Sequence, residues 1–499
     1  MREGNSYAGH LPVQPTPPDA KTRRVAVVGG GPAGLAAAHD LALLGYGVTV
    51  FEAAAEPGGM VRFGIPEYRL PRTLIRAEID KIVSLGVTLE TRTPLSPAFG
   101  LAELRRLGFE AMFLAVGVSR GRDLQVPGVE LDGVVKAVDY LLNVNQGFRM
   151  NLGRKVVVIG GGFVALDSAR AALRGGATEV IIVSLENFDE MPVLKTTQGH
   201  EEFEEAQKEG VRFLPRRGPR RFLGDGRLRA VELWGVRSVF DASGRFAPEY
   251  DETDVTTIDA DACVLAVGQQ PDLSFLAPED GVALNPNGTL KVEPETLATS
   301  APGVFAGGDV AFGPRNLIEA VANGKRAARS IHRYLAGERA RLEVTVEVEK
   351  LSTAHYQMLP GFELGDRETP PTLDLERRTG IAEVEVGYDR AAATRQAARC
   401  LVCHMQTIYD PETCVLCSRC VDVCPEYCLA IVPFEDLDLP DAEREALRAQ
   451  AAAGGLPLSA MMKDDDRCIR CGLCAIRCPT DAMTMERFTI TERWTSKET

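Results

Sequence analysis

Apolar runs, glycine turns and amphipathic stretches follow one another in a repeated order near the start of the chain. The segment RRVAVVGGGPAGLAAAHDLALLGYGVTVFEA has two short apolar runs separated by a glycine turn and an alanine-rich stretch, and it ends just after Glu52. That order predicts a strand, a turn, a helix and a second strand, which form one βαβ unit. The pattern recurs from Arg154 to Glu186. The sequence therefore predicts two nucleotide-binding folds in tandem.

Later apolar runs predict how the two folds are connected. FEAMFLAVG and DACVLAVG are strands that end on Gly117 and Gly268, and such paired strand ends usually mark crossings between domains. A final strand and turn, GVFAGGD, leads into a helix that ends near Gly337. Residues 339–399 lack strong periodicity and contain ETPPTLD, which favours a linker.

The first glycine turn has the spacing G-x-G-x-x-G, and an acidic residue ends the strand that follows. Glycines at this spacing let the backbone approach a pyrophosphate at the N-terminus of the next helix, and the carboxylate accepts hydrogen bonds from a ribose. The strand, the helix and the acid all occur in the required order, so we predict a dinucleotide site. Its candidate residues are Gly29, Gly31, Pro32, Ala33, Gly34 and Glu52.

The second turn has the spacing G-x-G-x-x-A, and the strand after it ends on Glu186 without a neighbouring arginine. A carboxylate suits a free ribose 2′-hydroxyl, whereas a 2′-phosphate needs a cation, so we favour NADH over NADPH. The alternative is that Glu186 is a solvated surface acid and that Arg216 or Arg217 reaches the phosphate. The candidate residues of this nicotinamide nucleotide site are Gly160, Gly162, Phe163, Val164, Ala165, Glu186 and Gly268.

Two cysteine runs near the end of the chain share the spacing C-x-x-C-x-x-C-x-x-x-C-P. This is the ligand pattern of bacterial ferredoxins with two 4Fe-4S clusters, in which the fourth cysteine of each run ligates the other cluster. Zinc also binds C-x-x-C pairs, but it takes four ligands and has no use for a doubled run. The predicted ligand sets are Cys414, Cys417, Cys420 and Cys478 for one cluster and Cys468, Cys471, Cys474 and Cys424 for the other.

Four cysteines lie outside these two sets. Cys263 lies in an apolar run and is predicted to be a small buried core residue. Cys400, Cys403 and Cys428 include a C-x-x-C pair, a minimal ligand pair, so we hypothesise that they help to hold a third metal site. The alternative is that they are free thiols packed beside the clusters.

Composition and charge narrow the class of protein. A chain of 499 residues suggests roughly three domains. The net charge of -14 offers no basic patch to nucleic acid or to an anionic membrane, and no apolar stretch reaches the length of about 18 residues that spans a bilayer. Eleven cysteines lie between Cys400 and Cys478 at metal-binding spacings, which favours a reducing compartment. We therefore expect a cytoplasmic protein with neither nucleic acid nor a membrane as partner.

From about Arg23 to Gly337 the chain resembles the small subunit of bacterial glutamate synthase and the related domains of dihydropyrimidine dehydrogenase and of NADH-dependent ferredoxin:NADP oxidoreductase. The resemblance lies in GGGPAGL, PGGMVRFGIPEYRLP, GGGFVALDSAR, EMP and AGGD. It implies that the first turn binds FAD and that Gly59, Gly308 and Asp309 also belong to the flavin site. It also implies that a helix beginning near Asn316 directs its N-terminus at the isoalloxazine.

The chain departs from these relatives in two respects. Members that use NADPH typically carry Tyr-Arg-Arg where this chain has Ser184, Leu185 and Glu186, which agrees with the charge argument for NADH. Relatives usually place their iron-sulfur domain before the FAD turn, whereas here the clusters lie at the C-terminus and residues 384–403 resemble the lead-in to that domain. The order is permuted, so the route of the electrons does not follow from the relatives.

These patterns together predict an α/β fold, with two nested Rossmann-like domains of the glutathione reductase type and a C-terminal α+β domain like bacterial ferredoxin. The expected layout is a flexible arm over residues 1–22, an FAD-binding domain over 23–145 and 263–338, an NAD(P)-binding domain over 146–262, a linker over 339–399 and a ferredoxin-like domain over 400–499.

The expected function is that of an electron-transfer subunit, which moves hydride between NAD(H) and FAD and single electrons between FAD, the clusters and a partner. The resemblance suggests a 2-oxoacid:ferredoxin oxidoreductase, a glutamate synthase large subunit or a molybdenum or tungsten enzyme as that partner. One alternative is a self-sufficient ferredoxin:NAD(P) reductase that docks soluble ferredoxin, and another is a non-catalytic redox-sensing or assembly module. Hydride transfer depends on placing two rings face to face, so no catalytic side chain is expected.

Overall fold

The computed structural model describes residues 23–337, 341–353, 366–399, 404–454 and 458–495. The predicted arm over residues 1–22 lies outside the described residues. The described chain divides into two units. The first contains the residues up to Arg341 together with Thr372–Val386, and the second contains Leu342–Pro371 and Gly387–Trp494. Within the described ranges, no helix combines the length and the apolar content needed to cross a bilayer.

A five-stranded parallel sheet forms the centre of the first nucleotide-binding fold, in the order β15-β4-β1-β2-β3. Residues Val25, Ala26 and Val27 of its middle strand are completely buried, as expected for a parallel sheet covered on both faces. The strands are β1 (Arg24–Val28), β2 (Gly47–Phe51), β3 (Thr88–Glu90), β4 (Phe109–Leu114) and β15 (Val304–Ala306). The helices of this fold are α1 (Pro32–Leu43), α2 (Met60–Phe63), α3 (Arg72–Ser84), α4 (Leu101–Arg106), α8 (Asp309–Phe312) and α9 (Leu317–Ala336).

A second five-stranded parallel sheet has the order β6-β13-β7-β8-β9. Its core is built from the apolar residues of the central strands and from the alanine-rich face of the helix after the second glycine turn. The strands are β6 (Val134–Lys136), β7 (Lys155–Ile159), β8 (Glu179–Val183), β9 (Arg212–Leu214) and β13 (Ala262–Leu265). The helices are α5 (Ala137–Asn145), α6 (Phe163–Arg174) and α7 (Thr197–Lys208).

The borders between the two folds differ from the expected ones at residues 145 and 262. Strands β6 and β13 pair with each other and belong to the second sheet, although β6 lies before residue 146 and β13 extends beyond residue 262. The reason is that the chain crosses from the first fold to the second before β6 and returns after β13. A two-stranded antiparallel ribbon of β5 (Arg120–Gly121) and β14 (Gln269–Gln270) joins the two crossings.

An antiparallel three-stranded sheet leaves the second fold between β9 and β13, and the sequence pattern did not predict it. It consists of β10 (Arg217–Asp225), β11 (Arg227–Phe240) and β12 (Phe246–Asp259). Its inner face buries Phe222, Val231 and Leu233 against the second parallel sheet.

Within the described residues, the second unit contains a three-stranded and a two-stranded sheet besides the cysteine runs. One has the order β16-β20-β17, with β16 (Arg341–Leu351), β17 (Met405–Tyr409) and β20 (Met483–Thr495). The other pairs β18 (Leu429–Pro433) with β19 (Ser459–Lys463). The helices are α10 (Arg390–Ala397), α11 (Arg419–Asp422), α12 (Asp441–Gly454) and α13 (Leu473–Arg477).

The expected linker over 339–399 is more structured than its weak periodicity indicated. It contributes β16 and α10 to the second unit, and Thr372–Val386 belongs to the first unit. These pieces are held by pairing with distant parts of the chain, which a local pattern does not report.

Candidate functional site

The first glycine turn joins β1 to α1 with very little space around its backbone. Gly29 has φ +107°, and a Cβ there would lie 2.4 Å from the Ala115 carbonyl oxygen. At Gly34 a Cβ would lie 1.9 Å from the Gly29 oxygen, and at Gly59 it would lie 2.9 Å from Gly31 Cα. Strand, turn, helix and the loop that contains Gly59 therefore pack backbone against backbone, which only glycine permits.

Glu52 lies directly after β2 and is buried beside this turn. Its two carboxylate oxygens accept hydrogen bonds from Gly30 N and Ala54 N, each at 2.7 Å. A carboxylate oxygen has two lone pairs, so each of the two oxygens can still accept a hydrogen bond from a hydroxyl group. The orientation that a ribose would need is thus held by the backbone.

Gly308 and Asp309 follow β15 on the same sheet. Gly308 N donates to Asn323 Oδ1 at 3.0 Å, and Asp309 Oδ1 accepts from Arg315 N at 3.2 Å. Burial raises the pKa of Asp309 to about 6, with a smaller opposing effect from the Arg315 hydrogen bond and a further rise from the Glu319 carboxylate. This carboxyl group is therefore poised to gain a proton just below neutral pH.

Helix α9 begins at Leu317, with Asn316 as its N-cap. Asn316 Oδ1 accepts from Glu319 N at 2.9 Å, so the side-chain oxygen is used by the helix itself. Further along, a Cβ at Gly324 would lie 2.2 Å from the Ala33 oxygen. This contact fixes α9 against α1, and no feature of the sequence analysis had singled out Gly324.

The second glycine turn repeats the geometry of the first. Gly160 has φ +143°, and a Cβ there would lie 2.5 Å from the Ala266 oxygen. Glu186 Oε2 lies 3.1 Å from the Cβ position of Gly161, and Glu52 Oε2 lies 2.9 Å from that of Gly30. The two acids therefore occupy the same place relative to their turns.

Of the other residues predicted for the nicotinamide nucleotide site, three lie at the start of α6 and the fourth, Gly268, lies elsewhere in the fold. Phe163, Val164 and Ala165 form the first turn of the helix, and Ala165 is buried against the sheet. Gly268 follows β13 with φ +102° and lies near the Arg122 side chain.

Arg216 and Arg217 lie next to the end of β8. The backbone N–H of Arg216 donates to the backbone carbonyl oxygen of Glu186 at 3.3 Å, and that of Arg217 donates to the backbone carbonyl oxygen of Ser184 at 2.9 Å. Their guanidinium groups are paired with acids, Arg216 with Glu190 at 3.0 Å and Arg217 with Asp254 at 3.0 Å. Both cations named in the alternative are thus near the nucleotide site, and both have carboxylate partners.

Both cysteine runs adopt the same backbone conformation. In each run three residues at matched positions take a left-handed conformation, with φ between 50° and 73°: Leu416, Ser418 and Tyr427 in the first, and Arg470, Gly472 and Asp481 in the second. Such residues turn backbone N–H groups toward the sulfurs, and Leu416 N lies 3.4 Å from Cys414 Sγ. The similar loops follow from the identical spacing.

The four cysteines of one predicted set line a single small cavity. Cys468, Cys471 and Cys474 come from the second run and Cys424 from the first, so the structure brings together the crossed set. In the other set, Cys414 and Cys417 are close enough to Cys420 to influence its thiol electrostatically, and Cys478 accepts a hydrogen bond from Met483 N at 3.3 Å. The thiols of the set that lines the cavity are arranged as a 4Fe-4S cluster requires.

Of the three cysteines in the hypothesis of a third metal site, the structure describes Cys428. Cys400 and Cys403 lie outside the described residues, whereas Cys428 lines the cavity just described, with its Sγ 3.3 Å from Cys424 Sγ. Among the described residues, no three His, Cys, Asp or Glu side chains converge in a way that would hold a single metal ion. Cys428 therefore lies beside a predicted ligand of one cluster, and the part of the third-site hypothesis that needs Cys400 and Cys403 stays a prediction.

Cys263 is completely buried in β13, as predicted for a core residue. Burial raises the pKa of its thiol, so it stays protonated and unreactive near neutral pH.

A buried ionic network that the sequence analysis missed joins the first fold to α6. Arg69 Nη1 lies 2.7 Å from Asp167 Oδ1, and Arg69 Nη2 lies 2.8 Å from Glu202 Oε1. Burial raises the pKa of Asp167 and outweighs the opposing effect of Arg69. The signal was present in α6, because Asp167 and Arg170 are charged residues on its buried face.

Comparison with known proteins shows the family. Residues 23–324, more than half of the chain, match the pyridine nucleotide-disulphide oxidoreductase family. The chain belongs to that family. Residues 413–482 match the 4Fe-4S dicluster domain. This pyridine nucleotide-disulphide oxidoreductase has Cys263 as its single cysteine before Cys400, so its nucleotide-binding folds contain no cysteine pair for disulphide exchange.

Several curated relatives cover most of the nucleotide-binding folds. The chain is 38% identical over 396 residues to the NADP(+)-dependent formate dehydrogenase subunit beta of Moorella thermoacetica, covering 77% of this chain and 54% of that protein. It is 35% identical over 435 residues to the NADPH-Fe(3+) oxidoreductase subunit beta of Geobacter sulfurreducens, covering 79% and 63%. It is 34% identical over 339 residues to the glutamate synthase [NADPH] small chain of Azospirillum brasilense, covering 65% and 69%. The chain thus spans less than two thirds of the first two relatives.

A solved structure of Mycobacterium tuberculosis FprA in complex with NADPH has the same fold. Its TM-score is 0.54 at 20% sequence identity, covering 63% of this chain and 85% of that chain. The predicted α/β architecture with two nucleotide-binding folds is confirmed, and the dicluster match confirms the ferredoxin-like domain. The family makes the chain an NAD(P)H-dependent oxidoreductase with a flavin fold and a 4Fe-4S domain.

Proposed function

We propose that the chain is the electron-transfer subunit of a larger oxidoreductase complex. When bound, FAD would exchange a hydride with NAD(H), and two 4Fe-4S clusters would carry its electrons singly to or from a catalytic subunit. The observation that carries the proposal is that one chain holds two bare glycine turns, each with a carboxylate beside it, and a doubled cysteine run. The relatives named above are called subunits or a small chain of such enzymes.

The surroundings of the middle glycine in each turn are evidence that a ligand binds there. Gly31 and Gly162 have φ of -80° and -105°, which any residue adopts. A Cβ at Gly31 would have its nearest neighbour at 3.9 Å, and at Gly162 it would meet nothing within 4 Å. Packing therefore requires glycine at neither position, whereas close approach of a pyrophosphate does.

Each turn would bind its nucleotide through the same three features. The fingerprint glycines leave the backbone open to the pyrophosphate, and the N-terminus of α1 or α6, which has no side-chain cap, offers N–H donors to it. Glu52 would hold the FAD ribose, and Asp309 would lie on the flavin's ribityl or phosphate side.

The crossed cysteine sets would hold the two clusters. Cys468, Cys471, Cys474 and Cys424 form one set, and Cys414, Cys417, Cys420 and Cys478 form the other. Anaerobically purified protein should then contain about one FAD and about eight iron atoms per chain. An iron content of about four would contradict the two-cluster proposal.

We further propose that NADH is the preferred nucleotide. Glu186 would accept hydrogen bonds from the adenosine ribose as Glu52 would from the FAD ribose, and it would repel a 2′-phosphate. The two nearby cations are each paired with an acid, so binding a phosphate would require breaking the Arg216–Glu190 or the Arg217–Asp254 pair. The resemblance implies that NADPH-using members carry arginine at the position of Leu185, whose side chain here packs against β10 at Gly218.

The test is anaerobic reduction of an artificial dye with NADH and with NADPH. NADH should have the higher kcat/KM in the natural chain, and Glu186→Arg should raise the NADPH:NADH ratio by about tenfold or more, since a charge-assisted hydrogen bond contributes about 1.5–3 kcal/mol. Glu179→Arg is the matched control, because it makes the same charge change at the opposite end of β8. Equal ratios in the two variants would remove Glu186 from nucleotide selection.

The partner is proposed to be a catalytic subunit, with a 2-oxoacid:ferredoxin oxidoreductase, a glutamate synthase large subunit or a molybdenum or tungsten enzyme as candidates. Co-expression with a candidate subunit should give a complex of fixed stoichiometry that couples NADH oxidation to that subunit's substrate. Efficient reduction of free ferredoxin without any stable complex would instead favour the self-sufficient reductase. If neither nucleotide reduced the dye, the proposal of an electron-transfer subunit would fail.

A further inference from the structure

The cysteine unit has two similar halves, one around each cysteine run. At one pair of equivalent positions, residues 428 and 482, the two halves carry different side chains. Asp464 N donates to the Cys428 oxygen and Asp410 N to the Ala482 oxygen, both at 2.8 Å. Each aspartate lies four residues before the first cysteine of a run, and Cys428 and Ala482 each lie four residues after the last. The first half therefore has a thiol where the second has a methyl group.

The thiol of Cys428 faces a ligand sulfur. Its Sγ lies 3.3 Å from Cys424 Sγ, its residue is 7% exposed, and it lines the cavity of the set that Cys424 completes. At 3.3 Å the two sulfurs are close enough to share a proton.

Hydroxyl donors to the cysteine sulfurs are balanced between the two halves, so they do not compensate for the thiol that the second half lacks. Thr407 Oγ1 lies 3.6 Å from Cys468 Sγ, and Thr480 Oγ1 lies 3.7 Å from Cys478 Sγ. One hydroxyl thus serves a sulfur of each set at nearly the same distance. The thiol at position 428 is an additional group, and its counterpart Ala482 has nothing to donate.

We propose that the Cys428 thiol donates an S–H···S hydrogen bond to the Cys424 thiolate and raises the reduction potential of the cluster held with Cys468, Cys471 and Cys474. The inference rests on the proposed two-cluster function. A cysteine that ligates iron is deprotonated, so Cys424 can only accept and the proton must lie on Cys428. Hydrogen bonds to the sulfurs of a cluster are one of the factors that set its potential.

The direction of the effect follows from charge. With a cluster bound, an added electron would increase the negative charge on the ligand sulfurs, and the proton that Cys428 holds against Cys424 Sγ would be attracted more strongly. No bond breaks and the proton stays on Cys428, so the balance is one electron gained with no proton transferred. The reduced form is stabilised more than the oxidised form, which raises the potential.

The test uses the full chain with its cofactors, purified without oxygen, and measures both cluster potentials by EPR-monitored redox titration. Cys428→Ala should keep about eight iron atoms per chain, make one of the two potentials more negative and leave the other unchanged. Alanine is the residue at the equivalent position 482, so the backbone accepts it. Cys263→Ala is the control, because it removes a buried thiol from the other unit and should move neither potential.

Ala482→Cys provides the reciprocal test and decides the matter if Cys428→Ala fails to fold. It should place a thiol beside Cys478 and make the other potential more positive. Unchanged potentials in a variant with full iron content would overturn the proposal. Loss of about four iron atoms from Cys428→Ala would also overturn it, because Cys428 would then be a ligand. Failure of the proposed function would be distinct, since the natural chain itself would lack about eight irons or would not be reduced by NADH.

Discussion

At the scale of single residues, glycines in the two turns serve two separate purposes. Gly29 and Gly160 have positive φ and lie against the carbonyl oxygens of Ala115 and Ala266, so the fold itself demands them. Packing makes no such demand at the middle glycines, Gly31 and Gly162, which we propose lie against the nucleotides. The same motif therefore combines structural positions with binding positions, and substitutions separate them.

Alanine at Gly31 and alanine at Gly34 should fail in different ways. Gly31→Ala has room for its Cβ, so the protein should keep its thermal stability and lose FAD. Gly34→Ala would press its Cβ against the Gly29 oxygen, and overpacking of this kind typically costs about 1–3 kcal/mol of unfolding free energy. The measurements are FAD absorbance per chain and the thermal midpoint of each variant.

Gly162→Ala is the matched variant in the second turn. It should retain FAD, because the first turn is untouched, and lose reduction by NADH. Full FAD occupancy in Gly31→Ala would contradict the assignment of the first turn to the flavin.

At the scale of elements, the loop before α3 is fixed against α6 by charges rather than by apolar packing alone. Tyr68 in this loop lies between two arginines of α6, with its ring 5.2 Å from the Arg170 guanidinium and 4.0 Å from that of Arg174. Arg69, the next residue, pairs with Asp167 of the same helix. The contact links the flavin fold to the helix of the nicotinamide turn.

Asp167→Asn should weaken this link. Removing one of the two carboxylates of Arg69 leaves this buried guanidinium paired with Glu202 alone, and the expected loss of unfolding free energy is about 3 kcal/mol, the lower end for breaking a buried ion pair. Urea denaturation of the FAD-loaded protein measures the loss. In Asp259→Asn, the control, the Lys155–Asp259 pair is exposed, so less than about 1 kcal/mol should be lost. Similar losses in both variants would show that the buried pair has no special role.

At the scale of the whole molecule, the chain returns to its first unit after β16. Arg378 lies in the returning segment Thr372–Val386, and its guanidinium pairs with Glu205 at 2.6 Å and with Glu209 at 3.2 Å. Val384 N donates to the Tyr68 oxygen at 3.3 Å. The segment is therefore part of the nicotinamide fold's support, although it lies close in sequence to the cysteine unit.

Arg378→Ala should lower the thermal midpoint at which FAD is released and leave the iron content unchanged. The reason is that Glu209 and Glu205 lose a buried partner, whereas the cysteine unit is not touched by the change. Arg395→Ala removes an exposed arginine paired with Glu368 in the second unit, and its midpoint should stay near that of the natural chain. A drop confined to Arg395→Ala would refute the role given to the returning segment.

Much of the fold could be predicted because its signals are local. A glycine turn between an apolar strand and a helix specifies its own backbone, so the two parallel sheets and the order of their first elements follow from the pattern. The same holds for the cysteine runs, whose spacing matches that of ferredoxins with crossed ligand sets, and one of these sets lines a single cavity. Cys263 was identified as a core residue for the same reason, since its neighbours are all apolar.

The sequence by itself therefore determined the two nucleotide folds and the doubled cysteine motif. Tertiary structure alone decided the contact of Gly324 with α1, the buried pairing of Arg69, the return of Thr372–Val386 and the position of Cys428 against Cys424. These features depend on the approach of side chains across turns and between distant segments. Periodicity and spacing depend on the conformation of neighbouring residues. They do not indicate which distant residue a side chain will contact.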